Sequence, residues 1–455
     1  MKTIVITRKI TLFPHGEKEE VNRVYKYIRD GMYVQSLMMN QCISALYCAK
    51  LRKADKEEIK ELSRSYSRVP TSKKGSVYDF DIKKYPTGLP IAGNVPMVCK
   101  QKLQKACKDG LMYGKVSLPT FKKDMPLYVH NDFCNIYGTK KCSSGGFKKL
   151  GFYHDYNDLE TFQEAMLNDE NPNLHLKFAN GIIFDIVLGN IHKSLELRSV
   201  ICKAFSGEYK ICDSSIGFDK KTGKKIELNL SLKIPVRERK LDEDTIVGVD
   251  LGLAVPAVCA VNNDIHDRLF IGSYDDFARK RVQLQGQRRR LQEALKTSKG
   301  GHGRSKKLKH LEKIQLHERE FAKTYNHMIS RRIVDYAISK NAKYIKLEDL
   351  KGYSNSDRSN FCLRNWSYYE LQTMIEYKAK REGIDVVYVN PAYTTLDCCV
   401  CGERGELRTR SEFICKNPDC NCKKIYKKDY IHADFNAARN IARSVDFTNI
   451  KESEE

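Results

Sequence analysis

The chain has 455 residues, enough for several domains with a sizeable core, and carries 80 Lys and Arg against 57 Asp and Glu, a formal net charge of +23. Such an excess points to a polyanion partner, and because no apolar run reaches the roughly 18–20 residues of a membrane span, it points to nucleic acid rather than an anionic bilayer. The opening MKTIVITRKITLF alternates like a strand and lacks an apolar signal core, so the expectation is a soluble, intracellular protein.

Residues 1–13 read as a strand and 18–66 as mostly helical, with Tyr27, Met32, Leu37, Cys42, Ile43, Leu46 and Tyr47 among the apolar positions. SLPTFKKDMPL, 117–127, is extended, because its two prolines exclude a continuous helix. A hairpin is predicted over 206–234, with DKKTG as its turn. PVRERKLDED, 235–244, reads as a charged linker at a domain boundary. TIVGVDLGLAVPAVCAV, 245–261, is a near-continuous apolar run rich in β-branched residues, the pattern of a central buried strand. Residues 275–313 are strongly basic. A helix is predicted at about 314–340, a second apolar strand at KYIKLEDL (343–350), a helix at 366–382, and a third strand at DVVYVN (385–390). The acidic end, NIKESEE, reads as a tail.

Three carboxylates stand out. Asp250 interrupts the apolar strand, where burying a lone carboxylate costs several kcal/mol or forces protonation. A paired or edge-exposed aspartate is the plain alternative, but Gly248 and Gly252 flank it and permit close approach of a backbone, a metal or a phosphate. Glu348 ends the YIKL strand, where the plain alternative is a solvent-facing strand end. Asp434 opens HADFNAARNIAR, a helix with Ala437, Ala438, Ile441 and Ala442 at helical spacing; an N-cap would account for an aspartate there. Converging carboxylates are what a two-metal phosphodiesterase requires. Hard Mg²⁺ takes oxygen ligands, and two ions about 3.5–4 Å apart clamp the attacking and leaving oxygens of an in-line displacement. No phosphate-binding G-x-x-x-x-G-K-[ST] loop, H-E-x-x-H or G-x-S-x-G competes.

Of sixteen cysteines, eight lie scattered between Cys42 and Cys212 without a C-x-x-C pair and read as buried thiols in a reducing compartment, whereas six fall between Cys398 and Cys422. Cys398-x-x-Cys401 followed by Cys415 and Cys420 is a zinc pattern, with Cys422 an alternative fourth ligand and Cys399 a bystander. Four thiolates leave no open position, so the site is structural. Arg404, Arg408, Arg410 and Lys423, Lys424, Lys427 and Lys428 give this ribbon a phosphate-facing side.

VGVDLGLAV, IKLEDLKG and HADFNAARNIA, with a cysteine ribbon before the last, resemble the three RuvC motifs and zinc insert of TnpB transposon nucleases and type V CRISPR effectors over about 245–443. GGHGR at 300–304, NWSYYELQ at 365–372 and NPAYTTLDCCVCG narrow the resemblance to the miniature type V-F effectors. The ribbon departs from the family in its second cysteine pair, C-x4-C or C-x6-C in place of C-x-x-C. The resemblance implies a multidomain α/β chain: the first strand of a wedge β-barrel (1–16), a helical recognition insert (17–115), the rest of the barrel (116–235) and a linker (236–244). After these come an RNase H-like RuvC nuclease core (245–390), a zinc-binding target nucleic-acid-binding insert (391–430), the final RuvC helix (431–443) and an acidic tail (444–455). It further implies a prokaryotic, cytoplasmic RNA-guided DNA endonuclease with two catalytic Mg²⁺ ions on Asp250, Glu348 and Asp434 and one structural Zn²⁺. Its partners would be a guide RNA, target DNA with a T-rich flanking motif, and a second copy of the chain on one guide. A transposon-encoded TnpB nuclease and a guided DNA-binding protein without cleavage are the alternatives.

Between Arg279 and Lys313 there are thirteen Lys or Arg against two Glu. A solvated helix face would suffice to explain them. Beside a nuclease core they are expected to contact guide and target, chiefly through Arg279, Lys280, Arg281, Arg288, Arg289, Arg290, Arg304, Lys306 and Lys307. Trp366 is a candidate for base stacking, although its spacing also fits a helix start packed on the core.

Overall fold

The computed structural model describes residues 2–68, 77–78, 94–129, 135–138, 159–169, 172, 174–219, 222–252, 255–297, 300–349, 368–391 and 394–445. The chain divides into two compact units, Thr3–Ile234 and Pro235–Glu455, the latter with Met1–Lys2.

The first unit is built on an eight-stranded sheet. Its elements are β1 (Thr3–Pro14), α1 (Lys18–Leu51), α2 (Lys56–Tyr66), α3 (Asn94–Lys108), β2 (Leu127–Val129), β3 (Asn135–Gly138), α4 (Leu159–Asn168), β4 (Leu174–Lys177), β5 (Ile183–Val187), α5 (Ile191–Phe205), β6 (Lys210–Ile211), β7 (Ser214–Phe218) and β8 (Ile226–Pro235). The strands run β2-β7-β8-β1-β5-β4-β3, with β6 also paired to β8. The hairpin read from 206–234 is β7 and β8, antiparallel with Ile216 opposite Leu228. In β8, Leu228, Leu230 and Leu232 are buried while the residues between them are more exposed, the period-2 signature of a sheet with one face on the core. The extended 117–127 segment lacks donors at its prolines, and side-chain amides of α1 supply its pairing. Gln35 donates to Pro126 O (2.8 Å) and accepts from Tyr128 N, and Asn40 makes the same double contact with Phe121.

The second unit holds a five-stranded mixed sheet. In chain order come β9 (Asp242–Asp250), β10 (Ala257–Val261), β11 (Arg268–Ile271), α6 (Tyr274–Lys296), α7 (Gly301–Ser339), β12 (Ala342–Glu348), α8 (Tyr368–Arg381) and β13 (Asp385–Val389). A small three-stranded ribbon of β14 (Gly405–Thr409), β15 (Glu412–Cys415) and β16 (Ile431–His432) follows, with the short α9 (Cys422–Tyr426) before β16 and α10 (Ala433–Arg443) directly after it. The strand order is β11-β10-β9-β12-β13, antiparallel on the first side and parallel on the second.

The two faces of this sheet are covered differently. Val247, Val249, Ile345 and Leu347 face a core completed by Ile329 and Ile333 of α7 and Leu371 and Ile375 of α8. Residues of the other parity, Gly248 of β9 and Ala260 of β10 opposite it, lie under α10. A methyl group on Gly248 would lie 2.1 Å from Ala438 O and 2.4 Å from Ala442 N, so only glycine admits the helix so close. This explains why HADFNAARNIAR is alanine-rich: Ala438 and Ala442 are the contact surface. Lys346, beside Gly248 on β12, passes under the helix and donates to Ala442 O (3.1 Å) and Ser444 O (2.7 Å), capping the C-terminus of α10.

Three local readings change. The run 245–261, read as one central strand, holds two antiparallel strands, β9 and β10, with Val258 opposite Asp250. The basic segment 275–313 is helical nearly throughout, so α7 begins at Gly301 rather than near 314. PVRERKLDED is more than a linker, because Arg237 and Arg239 clamp the buried carboxylate of Glu382 at 3.1 and 2.7 Å.

Candidate active site and cysteine ribbon

Asp250 is the last residue of β9 and Glu348 the last of β12; both strands point the same way, with Leu347 in register with Val249. Side chains alternate faces along a strand, so Asp250 shares the face of Gly248 and Glu348 that of Lys346, the face covered by α10. That helix ends over Gly248 and Lys346 and therefore begins toward the two strand ends, where Asp434 sits in its first turn. The N-cap is His432, and Asp434 lies inside the helix, so capping does not explain this aspartate.

All three carboxylates are partly buried. Burial, then the negative charges of Glu348 and Asp434, raise the Asp250 pKa well above the ordinary carboxylate range. Burial raises Glu348, opposed by a hydrogen bond from Thr394 Oγ1 to Oε1 at 2.5 Å. Burial also raises Asp434, opposed by the neighbouring His432. Mutual repulsion of buried carboxylates is relieved by a cation, and an all-oxygen donor set suits Mg²⁺.

Polar side chains of α10 hold the chain around the acids. Asn440 Nδ2 donates to Thr394 O (2.8 Å) and Asp397 O (2.6 Å), which fixes the threonine that orients Glu348. Asn436 bonds Asp397 O (2.7 Å) and Cys399 N (2.8 Å), and Arg443 bonds Cys399 O (2.7 Å). From the opposite side of the sheet, Gln372 of α8 donates to Glu348 O. Thr394, Asp397, Asn440 and Arg443 line a cleft of about 370 Å³ with the first cysteine turn. Thr394 has no pattern of its own in the sequence. Lys346 does have one, as a lone charge inside an apolar strand.

Five thiols meet at the ribbon. The sulfurs of Cys398, Cys415, Cys420 and Cys422 all lie within 4.8 Å of one another, and Cys401 Sγ is 3.5 Å from Cys415 Sγ. Cys398 Sγ is 3.8 Å from Cys420 Sγ. The four mutually close sulfurs include the alternative, Cys422, in place of Cys401 of the expected set, and Cys401 adjoins them through Cys415. Cys399 points elsewhere, toward Tyr426 Oη at 3.7 Å. Burial pushes the Cys398 thiol up, so without a metal it stays protonated. Tetrahedral thiolate ligation fits this donor set. The ribbon runs straight from β16 into α10, and Ala433 N is anchored on Ser411 O (2.9 Å). The ribbon thus leads directly into the first turn of α10, where Asp434 sits.

The basic residues divide into two groups. Arg281 and Arg288 approach Glu318 at 3.5 Å, Arg304 donates to Leu295 O and Lys307 to Ala294 O, so these four stitch α6 to α7. Arg279, Lys280, Arg289, Arg290 and Lys306 are exposed. Trp366 lies outside the described residues. Of the ribbon arginines, Arg408 is held by Glu412 and Asp429 (2.8 and 2.9 Å), while Arg404 lies 3.9 Å from Asp397.

Residues 368–441, from α8 through the ribbon into α10, match the family model described as Cas12f1-like, TNB domain. The chain is 29% identical over 354 residues to the CRISPR-associated endodeoxyribonuclease Cas12f1 of Sulfoacidibacillus thermotolerans, covering 77% of this chain and 76% of that one. It is 36% identical over 235 residues to the protein of the same name from Syntrophomonas palmitatica, 46% of each. In fold it is similar to the protein of a Cas12f1–sgRNA–target DNA complex, with a TM-score of 0.64 at 19% identity over 97% of this chain and 99% of that one. Taken with the three acids and the ribbon joined to the third, these matches make the chain similar to the miniature type V-F CRISPR effectors.

Proposed function

We propose that this chain is an RNA-guided DNA endonuclease that hydrolyses target DNA at Asp250, Glu348 and Asp434. The observation that carries the reading is the convergence of three partly buried carboxylates, from two parallel strand ends and one helix start, with Asp250 raised by both of the others. The relatives named endodeoxyribonuclease support the reaction class, and the similar fold in a complex with sgRNA and target DNA supports the partners.

Two Mg²⁺ ions bound there would activate a water and neutralise charge on the departing 3′ oxygen. The chain's own part is positional. β9 and β12 hold Asp250 and Glu348 on a rigid sheet, and α10, locked by Gly248 below and by Lys346 at its end, carries Asp434 to them. Thr394 fixes the Glu348 carboxylate and favours its ionised form. The cysteine cluster would hold one structural zinc through Cys398, Cys415 and Cys420, with Cys401 or Cys422 as the fourth ligand. Exposed Arg279, Lys280, Arg289, Arg290 and Lys306 would track phosphates. In this reading the first unit serves as wedge and recognition domains that hold the guide and read a T-rich flanking motif. Two copies share one guide, and one active site cuts both strands in turn.

The test is Asp250→Ala in a guided cleavage assay with a parallel gel shift. Cleavage is abolished and guided DNA binding stays within about twofold, because a metal ligand is removed and the nucleic-acid channel is untouched. Loss of binding in step with cleavage would show that Asp250 is not purely catalytic.

A further inference from the structure

In the first unit another set of metal-ligating side chains comes together: His15, His175 and Asp185. Sequence places them far apart, and the sheet unites them. His175 on β4 is directly opposite Asp185 on β5, and Asp185 is also opposite Phe13 on β1. His15 lies two residues beyond Phe13, and its backbone N–H bonds Ile183 O (3.0 Å), which continues the ladder. Alternation along β1 therefore puts His15 on the face that carries Asp185 and His175.

The side chains meet accordingly. His175 Nδ1 is 2.7 Å from Asp185 Oδ1, and His15 Nδ1 is 3.1 Å from the same oxygen. One donor atom from each of the three lies within 4.8 Å of the others, and the two rings stand edge to face with centroids 5.7 Å apart. Metal–nitrogen and metal–oxygen bonds of about 2.0–2.2 Å put tetrahedral neighbours roughly 3.3 Å apart, so the cluster closes on an ion with small adjustments. His175 is 15% exposed, Asp185 41% and His15 58%, so the donors are backed by protein and open to solvent on one side.

We propose that His15, His175 and Asp185 form a second metal site that binds a zinc-class divalent ion, with water completing its coordination. Two imidazoles and one carboxylate suit borderline ions such as Zn²⁺ better than Mg²⁺, which takes oxygen ligands. The site lies where β1 gives way to α1. Gly16, at φ 120°, turns the chain immediately after His15, and the helix starts at Lys18. The ion acts as a clip that fastens this turn to β4 and β5. Hydrogen bonding between Asp185 and the two imidazoles is the competing use of the same atoms.

The test is calorimetric titration of the tag-free full-length chain with zinc chloride, in excess Mg²⁺ to occupy oxygen sites. The wild type binds one zinc ion more per chain than His15→Ala or His175→Ala, and Asp185→Asn weakens that event at least tenfold. Cys415→Ser leaves it unchanged, which separates it from any zinc at the ribbon. His15 is exposed, so His15→Ala removes a ligand without opening the core, and circular dichroism checks that each variant is folded. Equal zinc stoichiometry in the wild type and folded His15→Ala and His175→Ala would overturn the proposal and leave a hydrogen-bonded His–Asp–His cluster.

Discussion

Gly248→Ala puts the positioning of the third carboxylate to a direct test. The added methyl would lie 2.1 Å from Ala438 O, 2.4 Å from Ala442 N and 2.8 Å from Ala442 Cα. All three are backbone atoms of α10, so no side chain can swing aside; the helix must move. Ordinary contact requires a shift of roughly 1 Å. Overpacking typically costs about 1–3 kcal/mol, and with backbone on the receiving side the upper end applies. At about 2–4 °C per kcal/mol for a unit of this size, Tm should fall by roughly 6–12 °C. The displaced helix carries Asp434, and a misplacement of about 1 Å in a catalytic group costs on the order of 100-fold. The assay is guided cleavage under single-turnover conditions at a temperature where the variant remains folded, with guided binding measured alongside. Cleavage falls about 100-fold while binding is retained. Gly286→Ala, in α6 with open space around it, is the control: it should stabilise by about 0.5–1 kcal/mol. A Gly248→Ala protein that cleaves at the wild-type rate would refute the claim that close packing of α10 sets Asp434.

Further expectations follow from individual contacts. Thr394→Val removes the hydrogen bond that favours the ionised Glu348, so the acidic limb of the pH–rate profile should move to higher pH; an unmoved limb would mean the bond does not tune this carboxylate. In metal-free protein, Asp250 holds a proton that the unfolded chain has lost between the ordinary carboxylate pKa and its raised folded value. Stability therefore falls as pH rises through that window, and Asp250→Asn, which escapes the penalty, should show a Tm advantage over wild type that grows as pH rises above the ordinary carboxylate range. Cys415→Ser should lose the ribbon zinc by elemental analysis, and of Cys401→Ser and Cys422→Ser one should keep a full equivalent and so identify the bystander. Arg289→Ala and Arg290→Ala should each lower the salt slope of DNA binding by about 0.9, whereas Arg281→Ala, which breaks the contact with Glu318, should act on Tm instead.

Strand periodicity located β12 and β13 to within a residue or two, because buried parallel strands are marked by continuous apolar runs, but it merged β9 and β10 into one strand, since both halves of 245–261 are buried and apolar. The three acids were visible for the same reason, as charges placed where an apolar pattern ends or breaks. The α6–α7 hairpin was not visible as structure. Its helices are so rich in Lys and Arg that apolar periodicity is weak, and the pairing of Arg281 and Arg288 with Glu318 joins residues about thirty positions apart. The same holds for Glu382, buried only because Arg237 and Arg239 reach it from a segment that reads locally as a linker. Gly248 was suggestive but ambiguous, since a glycine beside an acid admits a metal, a phosphate or a backbone. The structure supplies the backbone, Ala438 and Ala442. His15, His175 and Asp185 had no sequence signal at all, because their meeting depends on the register of three strands.

The central claim is that the chain is guided by RNA, and the most direct measurement is to purify it with its co-expressed RNA and sequence that RNA. A transcript with a CRISPR repeat and a spacer is the predicted result, and DNA matching the spacer should then be cut in a Mg²⁺-dependent manner. Random cellular RNA, with no discrete species enriched, would contradict the account.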